Sequence, residues 1–174
     1  MFKDKVKYSA AVRCTVAVIL ILCTVLWLCF IYSNSLKSGE ESGEQSGKVH
    51  DIIGTVTAFL GFDKPISEHF IRKAAHFTEF AVLGLLICLD LWSIRLLSLN
   101  KKLVTSVLWA SVSVPACALF AAADELLQNF SKGRGPSATD VLIDVSGSLT
   151  AVVVFIAFFS LLFLLLRSRI FGKR

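Results

Sequence analysis

The stretch that decides the fold class is AAVRCTVAVILILCTVLWLCFIY at residues 10–32, a continuous apolar run with one charge, Arg13, near its start. About 20 apolar residues in a helix cross the roughly 30 Å hydrocarbon core of a bilayer. A signal peptide is excluded, because the about 18 apolar residues after Arg13 exceed the roughly 7–15 of a signal-peptide core and end in Phe30-Ile31-Tyr32 rather than in small residues. The stretch therefore predicts a membrane-spanning helix.

Three further apolar runs follow, at residues 74–92, 103–123 and 141–166, in a chain of 174 residues that is 55% hydrophobic. We therefore predict an all-α fold and one integral membrane domain over residues 1–174, a polytopic membrane protein built as a four-transmembrane-helix bundle. Pro115 lies inside the third run and is expected to bend that helix. The five cysteines all fall in predicted spans without CxxC spacing, so neither a disulfide framework nor a zinc site is indicated.

The lysines and arginines predict the orientation, because cytoplasmic segments carry an excess of these residues. Four spans put both termini on one side, which holds eleven basic and two acidic residues, a balance of +9. The other side holds seven basic and eleven acidic residues, a balance of −4. Both termini are therefore predicted to be cytoplasmic, with outer loops at residues 33–73 and 124–140, and the basic charge indicates membrane lipids rather than nucleic acid as partners.

The first outer loop changes character along its length. Residues 33–48 are rich in Ser, Gly and Glu and predict a loop or a frayed helix. Apolar residues then recur at spacings of three and four, which predicts an amphipathic interfacial helix that ends at Gly61, followed by a short helix near residues 66–71. In the second outer loop Gly133, Gly135 and Pro136 predict a tight turn, and Ser137 is the predicted N-cap of the fourth helix.

Polar residues cluster where the predicted spans meet these outer loops. An uncompensated charge in hydrocarbon costs about 2.5–3.5 kcal/mol on insertion scales, so such residues need partners or a function. Lys73, His76 and Glu79 are three apart and share one face of the second span. Histidine exchanges protons near neutral pH and binds metals, which indicates acid/base chemistry or metal ligation. The alternative is that Lys73 pairs with Glu79 while His76 forms hydrogen bonds at the headgroup level.

The third span ends in a second polar group, with Asp124, Glu125 and Gln128 within one turn. Arg134 is placed to neutralise one of these acids, and a neighbouring carboxylate would raise the pKa of the other and make it a proton donor. An interhelical knot of salt bridges is the structural alternative, although buried ion pairs often stabilise a fold no better than apolar packing. Both interpretations stay open from the sequence.

The third polar group opens the fourth helix. Asp140 sits in the first turn, where an acid interacts favourably with the helix dipole. Asp144 lies one turn further into the apolar run and has no such explanation, so it is a functional-site candidate. Gly147 continues the same face and is interpreted as a close contact with a neighbouring helix.

Together the three groups predict one outer cleft. The catalytic candidates are His76, Glu79, Asp124 and Glu125. The candidates for ligand binding are Arg72, Lys73, Gln128, Arg134, Ser137, Asp140 and Asp144. The basic members suit an anionic headgroup or phosphate, and the acidic members suit a divalent cation or an activated water, so cofactor and metal content stay open. Among the stricter catalytic signatures, GxSxG, HExxH, a Walker loop and a Rossmann fingerprint are absent from the sequence.

At these residues the chain resembles the VanZ-like family of bacterial membrane proteins. The resemblance covers most of the chain and rests on IYSNS after the first span, on KxxHxxE from Lys73, on DExxQ from Asp124 and on RxxSxxD from Arg134. Asp144 departs from the family pattern, which more often has Asn at that position. The resemblance implies a multi-pass protein of the bacterial cell membrane, with some members linked to reduced susceptibility to glycopeptide antibiotics, particularly teicoplanin.

Two functions compete at this stage. The first is a non-enzymatic envelope protein whose outer cleft binds an anionic lipid headgroup, a lipid-linked cell-wall precursor or a lipoglycopeptide. The second is an intramembrane hydrolase or transferase that acts on a lipid-linked phosphate or ester, with His76 or Glu79 in acid/base roles and Arg72, Lys73 or Arg134 holding phosphate. A transporter is disfavoured, because four spans without inverted halves leave little room for alternating access.

Overall fold

The computed structural model describes residues 2–59, 66–97 and 110–171, and within these ranges the chain is helical without strands. The helices are α1 (Phe2–Ser35), α2 (Gly39–Phe59), α3 (Glu68–Leu97), α4 (Ser113–Gln128) and α5 (Ala138–Phe171). The predicted all-α fold is confirmed for this part of the chain.

Three of these helices contain segments that are long and apolar enough to cross a membrane, at Ala11–Ser35, Glu68–Ile94 and Ala138–Leu162. The predicted third span, residues 103–123, begins outside the described residues, and α4 supplies its second half. Three segments thus support insertion of the chain into a membrane. The count of four membrane spans stays a prediction.

The first interhelical segment forms more helix than the Ser, Gly and Glu content predicts. α2 begins at Gly39, about ten residues before the predicted amphipathic stretch. The cause is a reciprocal capping box: the Glu41 backbone N–H donates to Ser38 Oγ at 3.2 Å, and the Ser38 N–H donates to Glu41 Oε2 at 2.8 Å. These hydrogen bonds lower the pKa of the exposed Glu41 carboxyl. The predicted loop is therefore the first half of α2.

One further local feature differs from the sequence-based expectation. The short helix expected near residues 66–71 is the first turn of α3, which begins at Glu68 after Ser67 accepts a hydrogen bond from the Phe70 N–H at 3.2 Å. Pro115 lies in the first turn of α4, and Val112, the residue before α4, has helical dihedral angles (φ −64°, ψ −24°). The expected bend of the helix at Pro115 stays a prediction.

α3 is the central helix and contacts each of the other four. Its buried residues Phe80 and Leu83 pack with Ile31 of α1 and with Cys117 and Ala121 of α4. The Trp27 indole N–H of α1 donates to the Glu79 carbonyl at 2.9 Å, and Thr24 donates to Asp90 at 2.6 Å. Large apolar side chains of α1 and α5 are exposed on the opposite faces, as expected of helices that meet lipid.

The α3–α5 contact is close because glycine occupies both helices. A Cβ on Gly147 would overlap the Phe77 carbonyl oxygen of α3, and a Cβ on Gly84 would lie 2.9 Å from the Ser148 Cα of α5. Small residues at such crossings let helix backbones approach. This confirms the interpretation of Gly147 as a packing residue, and it brings the start of α5 against the start of α3.

Candidate functional site

Residues 36–38, between α1 and α2, and residues 129–137, between α4 and α5, meet at one end of the bundle, which we call the polar end. The Gly39 N–H donates to the Lys132 carbonyl at 2.9 Å, and Ser131 Oγ donates to the Ser35 carbonyl at 2.9 Å. Arg134 Nη1 lies 3.4 Å from the carbonyl oxygens of Asn34 and Ser35. The end of α1, the start of α2 and the segment that joins α4 to α5 are therefore held together here.

Three of the predicted site residues converge beneath this end, one from each of α3, α4 and α5. His76, Asp124 and Asp144 each offer a ligand-type atom, and these atoms lie within 4.8 Å of one another. We call this group the acid–histidine centre. His76 Nδ1 lies 3.7 Å from Asp144 Oδ1, and both acidic side chains are 0% exposed. The sequence places these residues 48 and 20 positions apart, so helix packing alone assembles the centre.

Asp124 is oriented by hydrogen bonds to one of its oxygens. Ser35 Oγ donates to Asp124 Oδ2 at 2.7 Å, and Gln128 Nε2 lies 3.3 Å from the same oxygen. Asp124 Oδ1 has no hydrogen-bond partner, nor has either oxygen of Asp144. The unpartnered oxygens belong to the acid–histidine centre.

Other candidate residues close on one another and hold the helix ends. Glu125 Oε2 accepts a hydrogen bond from the Ser137 N–H at 2.7 Å, and Glu125 Oε1 accepts one from Gln128 at 3.0 Å. Ser137 precedes α5 and its Oγ lies 3.4 Å from the Asp140 N–H, which confirms its place as the N-cap. Lys73 pairs with Asp140 at 3.1 Å and not with Glu79, so the alternative predicted for Lys73 is wrong.

A cavity of about 570 Å³ opens beside the centre, and we call it the polar cavity. Its lining includes His76 and Glu79 together with four bases, Lys37, Lys48, Arg72 and Arg134. Asn34 Nδ2 donates to Glu79 Oε1 at 3.1 Å, which leaves Glu79 held at the cavity wall. His76 therefore belongs to both the acid–histidine centre and the cavity lining.

The four bases of the polar cavity form no salt bridge within the part of the chain that the structure describes. None of them has a carboxylate oxygen of a described residue within 4.0 Å. Lys37 donates to the Asn34 and Gln45 side-chain oxygens at 2.8 and 3.3 Å, and Arg134 points to backbone carbonyls. Burial and the nearby Arg72 lower the pKa of Arg134. The cavity thus has an excess of positive charge that an anion would neutralise.

An apolar groove of about 440 Å³ adjoins the polar cavity between α1, α2 and α3. The two share Phe30, Val49, Ile71, Ala75 and Glu79 in their linings. Trp27, Ile53 and Phe70 add apolar surface to the groove. The combined cleft is therefore polar and basic at one end and apolar along its length.

The structure divides the predicted set. Arg72, His76, Glu79 and Arg134 line the polar cavity, and Asp124 and Asp144 lie behind His76. Lys73, Glu125, Gln128, Ser137 and Asp140 are not among the lining residues and tie helices together instead. Asn34, Lys37 and Lys48 line the cavity and were not assigned from the sequence. Asn34 and Lys37 lie in and just after the IYSNS segment, which is the signal that pointed to them.

Comparison with known proteins gives one family. A family model described as VanZ/LLP1 matches residues 19–166 of the 174, a range that includes every residue of the acid–histidine centre and of the cleft lining. No curated protein and no solved structure matches the chain.

Proposed function

This chain belongs to the VanZ/LLP1 family, and from that premise we propose that it binds a membrane amphiphile with an anionic, phosphate-bearing headgroup. The observation that carries the proposal is the set of four bases around the polar cavity, none of which forms a salt bridge with a described residue. Arginine presents a fork of N–H donors that matches phosphate oxygens, and lysine adds a compact charge. The headgroup would occupy the polar cavity.

The apolar groove supplies the second half of the proposal. It continues from the polar cavity through five shared lining residues, so a ligand with a charged head and a hydrocarbon chain fits both compartments at once. A volume of about 570 Å³ lies within the range of roughly 300–1,000 Å³ of small-molecule sites. Lipid-linked cell-wall precursors have this amphiphilic character, and lipoglycopeptides share the acyl chain.

Orientation decides which amphiphiles can reach the site. The charge balance of the flanking segments favours an extracytoplasmic polar end, with both termini in the cytoplasm. A wall precursor or a lipoglycopeptide would then meet the cleft from the outer leaflet. Capture of such a molecule at the membrane is the route by which the protein would lower teicoplanin susceptibility.

A binding assay with matched ligands tests the proposal. Purified protein in nanodiscs is titrated with a polyprenyl phosphate and with the neutral polyprenol of equal chain length. We expect the phosphate to bind more tightly, and the double substitution Lys48→Gln/Arg72→Gln to weaken phosphate binding about tenfold or more, since hydrogen bonds to charged groups contribute about 1.5–3 kcal/mol. Lys132→Gln removes an exposed base outside the cavity lining and is the control.

Two outcomes would contradict this proposal. Equal affinity for polyprenol and polyprenyl phosphate would show that the phosphate headgroup does not determine binding. An equal loss in Lys132→Gln and in Lys48→Gln/Arg72→Gln would reduce the effect to general surface charge. The lipoglycopeptide is tested separately from the lipid phosphate. For this test, the teicoplanin susceptibility of cells that express wild type is compared with that of cells that express the double variant.

A second candidate, an intramembrane enzyme, is favoured by one observation. His76 and Glu79 line the polar cavity together, and Asp144 lies behind the His76 imidazole at 3.7 Å. A carboxylate behind a histidine orients the ring for proton transfer. Hydrolysis or transfer at a lipid-linked phosphate or ester would be lost in His76→Ala and in Glu79→Gln while binding persists. Intact ligand after prolonged incubation with wild type would exclude this candidate.

A further inference from the structure

We propose that His76, Asp124 and Asp144 form a binding site for one divalent first-row metal cation. The ligand set of one imidazole nitrogen and two carboxylates suits Zn²⁺ or Mn²⁺ better than Mg²⁺, which prefers oxygen ligands and keeps several waters. The candidate ligand atoms lie within 4.8 Å of one another. Atoms bound to one zinc at about 2.0–2.2 Å lie roughly 3–4 Å apart, so loading requires a contraction of about an ångström.

The buried oxygen atoms are a separate observation that points to a cation. Asp144 is 0% exposed, and neither of its side-chain oxygens has a hydrogen-bond partner. The unpartnered Oδ1 of Asp124 and Nδ1 of His76 belong to the same group. Buried polar atoms are almost always hydrogen-bonded, and a buried charge without a partner is costly. His76, Asp124 and Asp144 therefore each carry an unpartnered polar atom that a shared cation would satisfy.

Basic side chains of the described residues do not neutralise the two buried carboxylates. Among the described residues, neither Asp124 nor Asp144 has a Lys or Arg nitrogen within 4.0 Å. Lys73 is paired with Asp140, and Arg134 Nη1 lies against the carbonyls of Asn34 and Ser35. Among the described residues, His76 is the one basic side chain with a nitrogen within 4.0 Å of Asp144, and one imidazolium carries half the charge of two carboxylates. A divalent cation balances both.

Surrounding contacts hold the ligands in place. Ser35 and Gln128 hold one oxygen of Asp124 and leave the other without a hydrogen-bond partner. The contact of Gly147 with the Phe77 carbonyl brings α5 close to α3 immediately beside His76. Such outer contacts orient metal ligands and typically change metal affinity 10–100-fold when removed.

The proposed site adjoins the polar cavity through His76. Three protein ligands would leave at least one coordination position on the metal, as in catalytic rather than structural zinc sites. A ligand in the cavity that we assign to the anionic headgroup would approach that position past His76. The metal proposal does not depend on that ligand, since it rests on the protein atoms alone.

The experiment measures metal content and affinity in purified full-length protein. After removal of metals with a chelator, the protein is loaded separately with Zn²⁺ and Mn²⁺, desalted and analysed by elemental mass spectrometry and calorimetry. We expect about one equivalent of one of these ions in wild type. Asp144→Asn should weaken binding by more than the roughly 10–100-fold typical of outer-contact changes.

Controls separate metal binding from folding. Asp90 is a buried acid in α3 that accepts a hydrogen bond from Thr24 away from the centre. Asp90→Asn should therefore retain wild-type metal affinity. Asp144→Asn keeps the side-chain shape, and its thermal unfolding should no longer shift upward on adding the metal, whereas wild type should shift. No stoichiometric binding of either ion by wild type overturns the proposal, and so does equal binding by Asp144→Asn.

Discussion

At the scale of single residues, Glu125, which the sequence predicts as a catalytic candidate, makes hydrogen bonds that join two helices. It is 4% exposed and joins the end of α4 to the start of α5 through the Ser137 N–H and Gln128. Glu125→Ala removes the acceptor of the Ser137 N–H and one of the two acceptors of Gln128, so we expect the free energy of unfolding to fall by about 1–3 kcal/mol. Thermal and denaturant unfolding in detergent measure this.

The matched control for that substitution is Glu44→Ala, since Glu44 is an exposed acid of α2 outside the cavity lining. It should change stability by less than about 0.5 kcal/mol. If Glu125→Ala were as stable as wild type but no longer converted the ligand, the predicted catalytic role of Glu125 would be supported instead.

Sequence reasoning found the residues of the site better than their partners. An acid within an apolar run needs an explanation, and this cost alone singled out Asp144. Partners across helices follow from packing, so the pairing of Lys73 with Asp140 and the hydrogen bond from Ser35 to Asp124 were not predictable from spacing. The unassigned bases Lys37 and Lys48 lay in a segment whose composition resembled a loop.

At the scale of elements, the α3–α5 contact determines whether the site forms. Gly147→Ala places a Cβ against the Phe77 carbonyl, which is backbone and cannot rotate away. We expect overpacking to cost about 1–3 kcal/mol and to separate His76 from Asp144. Metal affinity and thermal stability should fall together in this variant.

Gly54→Ala is the control for that prediction, because a Cβ at Gly54 meets no atom within 4 Å and the residue lies in α2. Alanine is a better helix former than glycine by up to about 1 kcal/mol, so this variant should be as stable as wild type or more stable. Unchanged stability and metal affinity in Gly147→Ala would show that the helices adjust without loss of the site.

The sequence predicted helices well where the apolar pattern is long. It missed helix boundaries that are determined by local hydrogen bonds. The runs at residues 10–32 and 141–166 lie within α1 and α5. The start of α2 depends on the Ser38–Glu41 capping box, a local signal within a polar stretch whose composition suggested a loop. Side-chain caps can therefore extend a helix well beyond its amphipathic part.

At the scale of the whole molecule, the fold places the segments at residues 36–38 and 129–137 at one end, and the charge balance predicts which side of the membrane that end faces. Both segments contact each other through Gly39, Ser131 and Arg134, so they lie on the same side whatever the number of spans. Access from outside is required for a wall precursor or lipoglycopeptide, whereas binding of a lipid phosphate as such is compatible with either leaflet.

Cysteine labelling in intact cells tests the orientation. In a variant without the five native cysteines, Glu44→Cys and Lys132→Cys place single thiols at exposed positions of the polar end. Because the −4 side should face outward, a membrane-impermeant maleimide should label both before lysis. Lys101→Cys, on the side with the balance of +9, should react only after lysis. Labelling of Lys101→Cys before lysis, and of the other two only after lysis, would place the cleft on the cytoplasmic side. This result would contradict capture of external lipoglycopeptides. It would not bear on the metal site or on phosphate binding, which have their own tests.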